Sequence, residues 1–590
     1  MAAVLAATVL SQVPPAQALI DPERPISWLV GECRAVAALK VSAVGKQSAT
    51  FAVTKVLLGK VAAKTIVVRW AATQKPPVDT DSLGAEAVLL VPKDKDQPAL
   101  VHVSPEYLSV RPAGKAAGTY EFLRPNGFVK GSFNGASGDL IALIADIAAE
   151  RAYFPIWADT SFAKARRIGD LPAPAGALAV GDLDGDGTLE VLASTAKGLV
   201  AFTRDAKGRF AALRLSAPAG GAAEALADAN GDGRLDLLTD SGLFLRAADG
   251  RFAPAAPLAG RKWTSPRFCY LPGRTAPAIA CIEAGRARLL ARDAQGRWAD
   301  VTGAMGLDKA PAGILAMDVA DVGGRLAVVL ASADAVTCWQ ASKGNVLQKT
   351  QTFSLVEADA PAVRNLRVCQ ADLNGDGIAD LACAWDGASR IFRRQADGRL
   401  IEIQDYLGDV RNVFRTVSGL GGLIGEDFNN DGLTDLVAWA GSPALSLVMN
   451  RGYHNLRGGT EIFDLPAAAK PLSAARAAAA ADIDDDGDLD FLVADDKALH
   501  LLANTFETKP DEANDRPRRP LIKVLTPRFG EPVRLVDAAG RTLAARRVGT
   551  GPVAGVLYFA WRAGKKPTVV LTAGDGKVQR KPADRIVRFK

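Results

Sequence analysis

The sequence predicts an all-β protein in which a ring of repeated sheets is flanked by two smaller β-rich domains. Three observations predict it. A nine-residue acidic loop occurs five times, each copy running straight into an apolar strand. Pairs of apolar strands recur seven times between residues 156 and 508, about 45 residues apart in the first half and about 55 in the second. Composition shifts at both ends of this region, with a Pro- and charge-rich linker at Lys509 to Pro520. A period of roughly 40–50 residues built from short strands means propeller blades or a β-array, and seven lies within the usual blade count. The expected architecture is a seven-bladed β-propeller over residues 156–508, with a small β-rich domain at 19–150 and a small β domain at 516–590.

Bulk properties agree. A chain of 590 residues is too long for one core. With 48% hydrophobic and 23% charged residues it is ordinary globular material, not disorder. Beyond the N-terminus no apolar run reaches the ~18 residues a membrane span needs, so the chain is not expected to be transmembrane.

Residues 1–18 read as a signal peptide. An Ala/Val/Leu run leads into Pro14-Pro15 and the small-residue pattern Ala16-Gln17-Ala18, predicting cleavage after Ala18 and a secreted or periplasmic protein. No Lys or Arg precedes the apolar run, so either the true start lies upstream or the leader is purely hydrophobic. In the 19–150 domain, strand-like runs at Trp28 to Val30, Ala37 to Val44, Ser48 to Leu58, Thr65 to Trp70 and Ala87 to Val91 suit a small barrel or sandwich. A closing helix follows, capped by Ser137 or Asp139, with Leu140, Ile141, Ile144 and Ile147 on one face. The order is similar to that of small barrel domains of the netrin-like and tissue-inhibitor-of-metalloproteinase type.

The repeated loop carries the chemistry. Side-chain oxygens fall at positions 1, 3, 5 and 9 and glycine at position 6, most completely in Asp482-Ile483-Asp484-Asp485-Asp486-Gly487-Asp488-Leu489-Asp490. Hard oxygen donors at alternate positions suit Ca²⁺, which takes about six to eight of them at roughly 2.3–2.6 Å. The glycine lets the backbone turn tightly around one ion. Position 7 offers its backbone carbonyl, so its side chain is free to vary. The predicted ligand sets are Asp182, Asp184, Asp186, Thr188 and Glu190; then Asp228, Asn230, Asp232, Arg234 and Asp236. The third is Asp372, Asn374, Asp376, Ile378 and Asp380, and the fourth Asp427, Asn429, Asp431, Leu433 and Asp435. The last is Asp482, Asp484, Asp486, Asp488 and Asp490.

One such loop could equally be a solvated Asp-Gly hairpin turn. Five in register predict five Ca²⁺ sites. An EF-hand loop would open a helix and place its glutamate at position 12. Here each copy precedes a strand, such as Val191-Leu192-Ala193 or Phe491-Leu492-Val493, which makes it a β-hairpin loop. Copies three and four have lost the pattern, at Tyr270 to Thr275 and at Asp318 and Asp321 around Gly323-Gly324, and no ion is expected there.

This region resembles the FG-GAP and VCBS repeat families found in integrin α-subunit propellers and secreted bacterial proteins. The resemblance rests on D-x-[DN]-x-D-G-x-x-D at five positions over some 350 residues. It implies a seven-bladed propeller with Ca²⁺ between the first strands of a blade. Glu190 departs from the pattern by one methylene, which marks the first site as the weakest.

The tail is basic. From Asp515 to Lys590 there are 18 Lys+Arg against 5 Asp+Glu, a local +13, which leaves about −7 for the remainder of a chain of net +6. Strand-like segments sit at Leu521 to Leu525, Val533 to Val536 and Val569 to Leu571. Arg534 to Arg541, followed by Val569-Val570-Leu571 and Asp575 to Gln579, resembles the ASPIC/UnbV domain, which commonly follows VCBS repeats, as in cartilage acidic protein. The central stretch is shortened and lacks that family's polar motif. The charge suits either an acidic partner, such as a glycan or membrane surface, or a solvated face that docks on the acidic propeller.

No catalytic constellation stands out. His102 and His500 lie in apolar strands and His454 in a loop, none beside a recognisable nucleophile motif. No aromatic-basic interleaving accompanies the tail, so nucleic acid is not the expected partner. The leading reading is a calcium-stiffened binding or scaffold protein of adhesion-like type, with a protein or glycan ligand on the loop face. The alternatives are a propeller lyase or hydrolase acting on polysaccharide, which needs a Lys/Arg/His/Tyr cluster in the central funnel, and a carbohydrate-binding module, which needs exposed aromatics.

Two further expectations concern assembly. Cys269/Cys281 and Cys369/Cys383 sit symmetrically about their loops, as disulfide pairs would. Ala179 and Ala193 hold the same places in the first repeat, so the position also suits any small buried side chain. The seventh repeat lacks an outer strand, and Ile156 to Phe162, containing Trp157, is expected to supply it and close the ring.

Overall fold

The computed structural model describes residue 30 and residues 32–104, 106–113, 117–126, 137–138, 140–141, 144, 162–205, 207–215, 222–269, 271, 274, 276–293, 295–322, 325–342, 344–356, 361–373, 378–395 and 397–402. It further describes 413–414, 416–429, 434–450, 456–458, 472, 474–504, 521–525, 532–536, 542–547, 553–554, 556–560, 568–572, 578–582 and 586–588. The predicted signal peptide, Trp157, His454 and the Lys509 to Pro520 linker lie outside these residues. The chain divides into two units, residues 1–155 with two short later segments, and the remainder. No described helix is long and apolar enough to cross a membrane.

The N-terminal unit is a closed seven-stranded barrel. Its strands are β1 (Cys33–Gly45), β2 (Ser48–Leu58), β3 (Thr65–Arg69), β4 (Glu86–Pro92), β5 (Ala99–Val103), β6 (Glu106–Pro112) and β7 (Thr119–Pro125), in the order β1-β2-β3-β7-β6-β5-β4. Closure comes from a parallel β3–β7 pair and an antiparallel β1–β4 pair, which together leave no strand edge. The interior holds Leu39, Phe51, Val68, Leu89, Val101 and Leu108. Leu140 and Ile144 are helical and buried against Val36, Leu90 and Tyr107. The Ser137 hydroxyl bonds His102 Nδ1 at 2.9 Å and accepts from Ser104 N at 3.1 Å, so it ties the helical segment to β5. His102 is thereby a buried structural group.

The second unit contains, among its described residues, seven successive antiparallel sheets of four strands each, one of them with an added fifth strand. Their first strands are Ala175–Gly181, Ala223–Ala227, Trp263–Cys269, Ile314–Val322, Arg367–Ala371, Ser418–Glu426 and Ala477–Ala481. Each neighbours the next, and the seventh returns to the first. Apolar side chains fill the space between sheets: Leu192 and Leu226 between the first and second, Leu289 and Val328 between the third and fourth. One large cluster joins the sixth, seventh and first through Val437, Phe491 and Val191. Because strands two and three are covered on both faces, they read as continuous apolar runs.

Ring closure uses a different segment from the one expected. The outer strand of the seventh sheet is β8 (Arg166–Asp170), which pairs with Ala498–Leu502. Phe162 adds an isolated bridge to Asn504, and Ala163 N donates to Ala503 O at 2.8 Å. Ile156 to Ser161 lie outside the described residues, and among those described the closing segment begins at Phe162. Phe162 is buried with its ring 5.0 Å from Phe491, the anchoring role assigned to Trp157. Arg166-Arg167-Ile168-Gly169-Asp170 is a polar edge strand with one aliphatic residue, so no alternation announces it.

Of the two readings open for the cysteines, the structure favours small buried side chains. Among the described residues no disulfide joins any of the six cysteines. Cys269 pairs in register with Ala278 and packs between the third and fourth sheets, whereas Cys281 packs between the second and third. Cys369 lies opposite Ala382 and Cys383 opposite Val368, a one-residue offset that sends the thiols to opposite faces. Symmetry about a loop does not make two residues cross-strand partners.

The C-terminal segments form a three-stranded and a four-stranded sheet sharing a core of Val524, Val533, Leu535, Val569 and Leu571. One short strand, Val553–Ala554, leaves them and pairs in parallel with Val180–Gly181 on the first strand of the first sheet. It also neighbours the first strands of the second and seventh sheets.

Candidate functional site

The acidic loops join the first and second strands of their sheets. In loop 1, Asp182 at position 1 accepts from Gly185 N at 2.7 Å and Gly187 N at 2.9 Å, which folds the loop around that carboxylate. Asp184 and Asp186 each accept from the amide two residues on. Loop 2 repeats this, with Asp228 accepting from Gly231, Asp232 and Gly233. Gly187 and Gly233 have φ of 92° and 83°, and Gly233 has open space beside it, so conformation rather than crowding demands glycine there. Position 4 shares the left-handed geometry as Gly185, Gly231 and Asp485, a requirement the sequence pattern had not exposed.

Position 9 has a second job. Asp236 Oδ2 accepts from Ala229 N at 2.9 Å and Oδ1 from Arg246 N at 2.8 Å. Asp380 takes Leu373 N and Arg394 N, Asp435 takes Phe428 N and Asn450 N, and Asp490 takes Ile483 N and Asn504 N. Each of these buried carboxylates clamps the start of its loop to the end of the third strand. Glu190 accepts from Leu183 N at 2.7 Å, and its extra methylene carries the carboxylate toward Asp182 and Asp184.

Two loops gather three carboxylates within 4.8 Å of one another: Asp182, Asp184 and Glu190 in loop 1, and Asp482, Asp484 and Asp486 in loop 5. In loop 2, the Arg234 guanidinium pairs with Asp232 and the Asn230 amide donates to Asp232 Oδ2 at 2.8 Å. Asn374, Asp376, Asp431 and Leu433 lie outside the described residues. Burial pushes Glu190 and Asp236 up to about 7, neighbouring carboxylates push the same way, and the amide bonds pull down. Asp490 is raised well above its ordinary value by burial and by Asp484 and Asp486.

A set of latches escaped the sequence reading. In five of the seven sheets, the first, second, third, sixth and seventh, a residue at or just past the end of the third strand reaches back to a loop carbonyl of the preceding sheet, usually at position 2. Arg204 Nη1 donates to Ile483 O at 3.2 Å, and Arg246 Nη1 to Leu183 O. Arg292 Nη1 donates to Asn230 O at 2.9 Å, one residue further along its loop. Asn450 Nδ2 donates to Leu373 O at 2.5 Å and Asn504 Nδ2 to Phe428 O at 2.9 Å. Their signal was an Arg or Asn one or two residues past the apolar run, invisible until the strands are in register.

The third and fourth repeats differ. Asp318 is not in a loop; it lies within a first strand, accepting from Gln370 N at 2.7 Å and facing Arg267. Among the first strands, the cationic side chains are Arg267 and Arg367, with no Lys, His or Tyr. His500 is buried and paired with Asp495 at 2.9 Å.

The FG-GAP-like repeat family model matches residues 182–239 and 427–493. Those segments contain loops 1 and 2 and loops 4 and 5, and FG-GAP-like repeats building a β-propeller are the architecture of this region. A search of curated proteins finds no match. Solved structures that align include BBS1N in complex with ARL6DN, at 12% identity over 61% of this chain and 99% of that one, with a TM-score of 0.39. An Agrocybe aegerita lectin that recognises non-reducing terminal N-acetylglucosamine aligns at 17% identity over 51% of this chain and 79% of its own, TM-score 0.34. A catalytically inactive virginiamycin B lyase from Staphylococcus aureus with quinupristin aligns at 10% identity over 60% and 98%, TM-score 0.33. Likeness at this level says nothing about ligands.

Proposed function

We propose that this protein is an exported, calcium-stiffened seven-bladed β-propeller that acts as a binding or scaffold protein. The observation that carries the reading is the loop ring. Acidic loops recur between equivalent strands, wrap their own position-1 carboxylates, and are latched by the next sheet. The donor set fits Ca²⁺: all ligands are oxygens, and crowded carboxylates held above their ordinary pKa by burial and by each other favour a divalent cation. Asp182, Asp184, Asp186, Glu190 and the Thr188 carbonyl would hold one ion, and the corresponding residues of the other four loops the rest. A bound ion would neutralise the loop and stiffen the hairpin, and the latches would pass that rigidity to the preceding blade's neighbour.

The reading assigns the protein or glycan ligand to the face carrying the loops, and export to residues 1–18. It assigns the basic C-terminal strands to an ASPIC/UnbV-like domain on the resemblance of Arg534 to Arg541 and Asp575 to Gln579. Elemental analysis of the purified protein, with melting followed before and after chelation, tests it. About five calcium per chain and a lower melting temperature in chelator are expected; no calcium and no shift would sink it.

A further inference from the structure

Four consecutive first strands place a charged group on the inner rim of the ring: Glu224, Arg267, Asp318 and Arg367. The other three first strands, Ala477–Ala481, Ala175–Gly181 and Ser418–Glu426, are uncharged apart from Glu426 at the end of the last. The two arcs are used differently. The second arc receives the C-terminal strand Val553–Ala554, whose backbone takes the free edge of Ala175–Gly181. No described strand pairs with the free edges of the charged arc.

Within that arc the donors outnumber their partners. Arg267 Nε lies 3.4 Å from Asp318 Oδ1, yet makes no hydrogen bond. Gln370 Nε2 is buried and makes none either. Arg367 spends Nε on Gly421 O at 2.8 Å and Nη1 on Leu366 O at 3.0 Å, which fixes the guanidinium and leaves its remaining Nη2 uncommitted. Glu224 makes no hydrogen bond and is half-buried, and the charges that act on it are Arg267, Asp240 and Arg367. Arg267 keeps 36% of its side chain accessible. A guanidinium with that much accessible surface can be reached by a small ligand.

We propose that this arc is a binding site for a ligand carboxylate, held by Arg367 and Arg267 with the Glu224 carboxyl as a further polar contact. A planar carboxylate suits a guanidinium fork that is already fixed on one side. The protonated Glu224 leaves two guanidiniums against Asp318, a net positive pocket. Burial raises Glu224 to about 7, with Asp240 raising it further and Arg267 and Arg367 lowering it, so its proton is present below neutrality and lost above. The proposal rests on the propeller reading, because a ring is what encloses the arc; it does not depend on calcium.

The test is calorimetric titration of the full calcium-loaded chain at pH 6 and pH 8 with sodium glucuronate, N-acetylglutamate and neutral methyl glucoside. One carboxylate site per chain is expected, with methyl glucoside silent. Arg367→Gln should weaken binding about tenfold or more. A single linked proton weakens wild-type binding by at most about tenfold per pH unit above its pKa, and Glu224→Gln, which cannot ionise, should abolish that slope. Preference between the two acids tells a sugar source from an amino-acid source, and either supports the site. Silence of both acids, equal binding by Arg367→Gln, or an unchanged slope in Glu224→Gln overturns it. Because Glu224 makes no hydrogen bond, its variant stays folded and keeps the test decisive if Arg367→Gln does not fold. Chelation is measured separately, so failure of the calcium reading and failure of this site are told apart.

Discussion

The first and fourth sheets solve the same problem by opposite means. In the fourth, strands Ile314–Val322 and Arg325–Ser332 pair up to Val322 and Arg325, so the backbone closes the hairpin by itself. In the first, eight residues from Asp182 to Leu189 separate the paired ends Gly181 and Glu190, and three carboxylates converge within 4.8 Å. A backbone turn is complete without help, whereas a converging acidic loop is repulsive until a cation enters. Metal dependence should therefore be regional. The fourth sheet keeps a carboxylate, Asp318, but has moved it from the loop to the inner rim.

The largest expected effect breaks that comparison outright if it is wrong. Ca²⁺ binding only the native state stabilises by about 2.7 kcal/mol per site at a hundredfold excess over Kd. Chelation should lower the melting temperature by the sum over loaded loops, and hydrogen exchange should rise in the hairpins around loops 1, 2, 3, 4 and 5. The hairpins at residues 269–278 and 322–325 should keep their protection. Uniform loss of protection across all seven sheets would refute the regional view.

Next in size is a difference between two aspartates of one loop. Asp490 is buried and accepts two backbone amides, so Asp490→Ala orphans both and should cost about 3 kcal/mol or more with or without calcium. Asp484 is a cluster member whose carboxylate accepts only from Asp486 N at 3.3 Å. Asp484→Ala should cost stability in calcium and almost none in chelator. Denaturant melts of both variants in both conditions give the four numbers. Equal behaviour would mean that position 9 is no more structural than position 3.

How much of this was legible follows from what kind of force leaves a sequence signature. Apolar runs such as Val191-Leu192-Ala193 announce buried strands because burial acts on each residue independently. The loops were legible because left-handed backbone at Gly187 and Gly233 and alternating oxygens leave fixed spacings. The edge strand Arg166–Asp170 was not, since a solvent-facing edge imposes no period. Strands β5, β6 and β7 were passed over because Ser104-Pro105 and the Ala113 to Gly118 turn break the runs into pieces too short to read. The latches, the Glu224–Arg267–Asp318–Arg367 arc and the offset of Cys369 from Cys383 depend on register between elements, which one strand's pattern does not contain.

A smaller effect sharpens the link between neighbouring sheets. Asn504 Nδ2 bridges Phe428 O of the preceding loop and Leu489 O of its own, at 2.9 and 3.2 Å. Asn504→Ala should cost about 1–3 kcal/mol, the usual penalty for leaving buried carbonyls unpaired. If the latch carries loop stiffness between sheets, the cost in calcium should exceed that in chelator, because only a loaded loop is stiff enough to transmit. A cost that does not change with calcium would make the latch a local bond and nothing more.

The smallest effect concerns the thiols, where the third and fifth sheets should behave alike. The geometry that separates Cys269 from Cys281 and Cys369 from Cys383 puts each pair on opposite faces of a sheet, beyond the reach of a disulfide. Burial pushes Cys269 and Cys369 up to about 12 and Cys338 to about 11, so the nucleophilic thiolate is scarce at neutral pH. A reductant should therefore leave the melting temperature unchanged even though the protein is read as exported. Thiol titration of the native chain should stay near zero, and titration after unfolding without reductant should give all six. Two thiols instead of six would mean that both pairs are bridged and that the strand register placing them back to back is wrong. Four would confine that error to one sheet, which the melting response of Cys281→Ala or Cys383→Ala to reductant would identify.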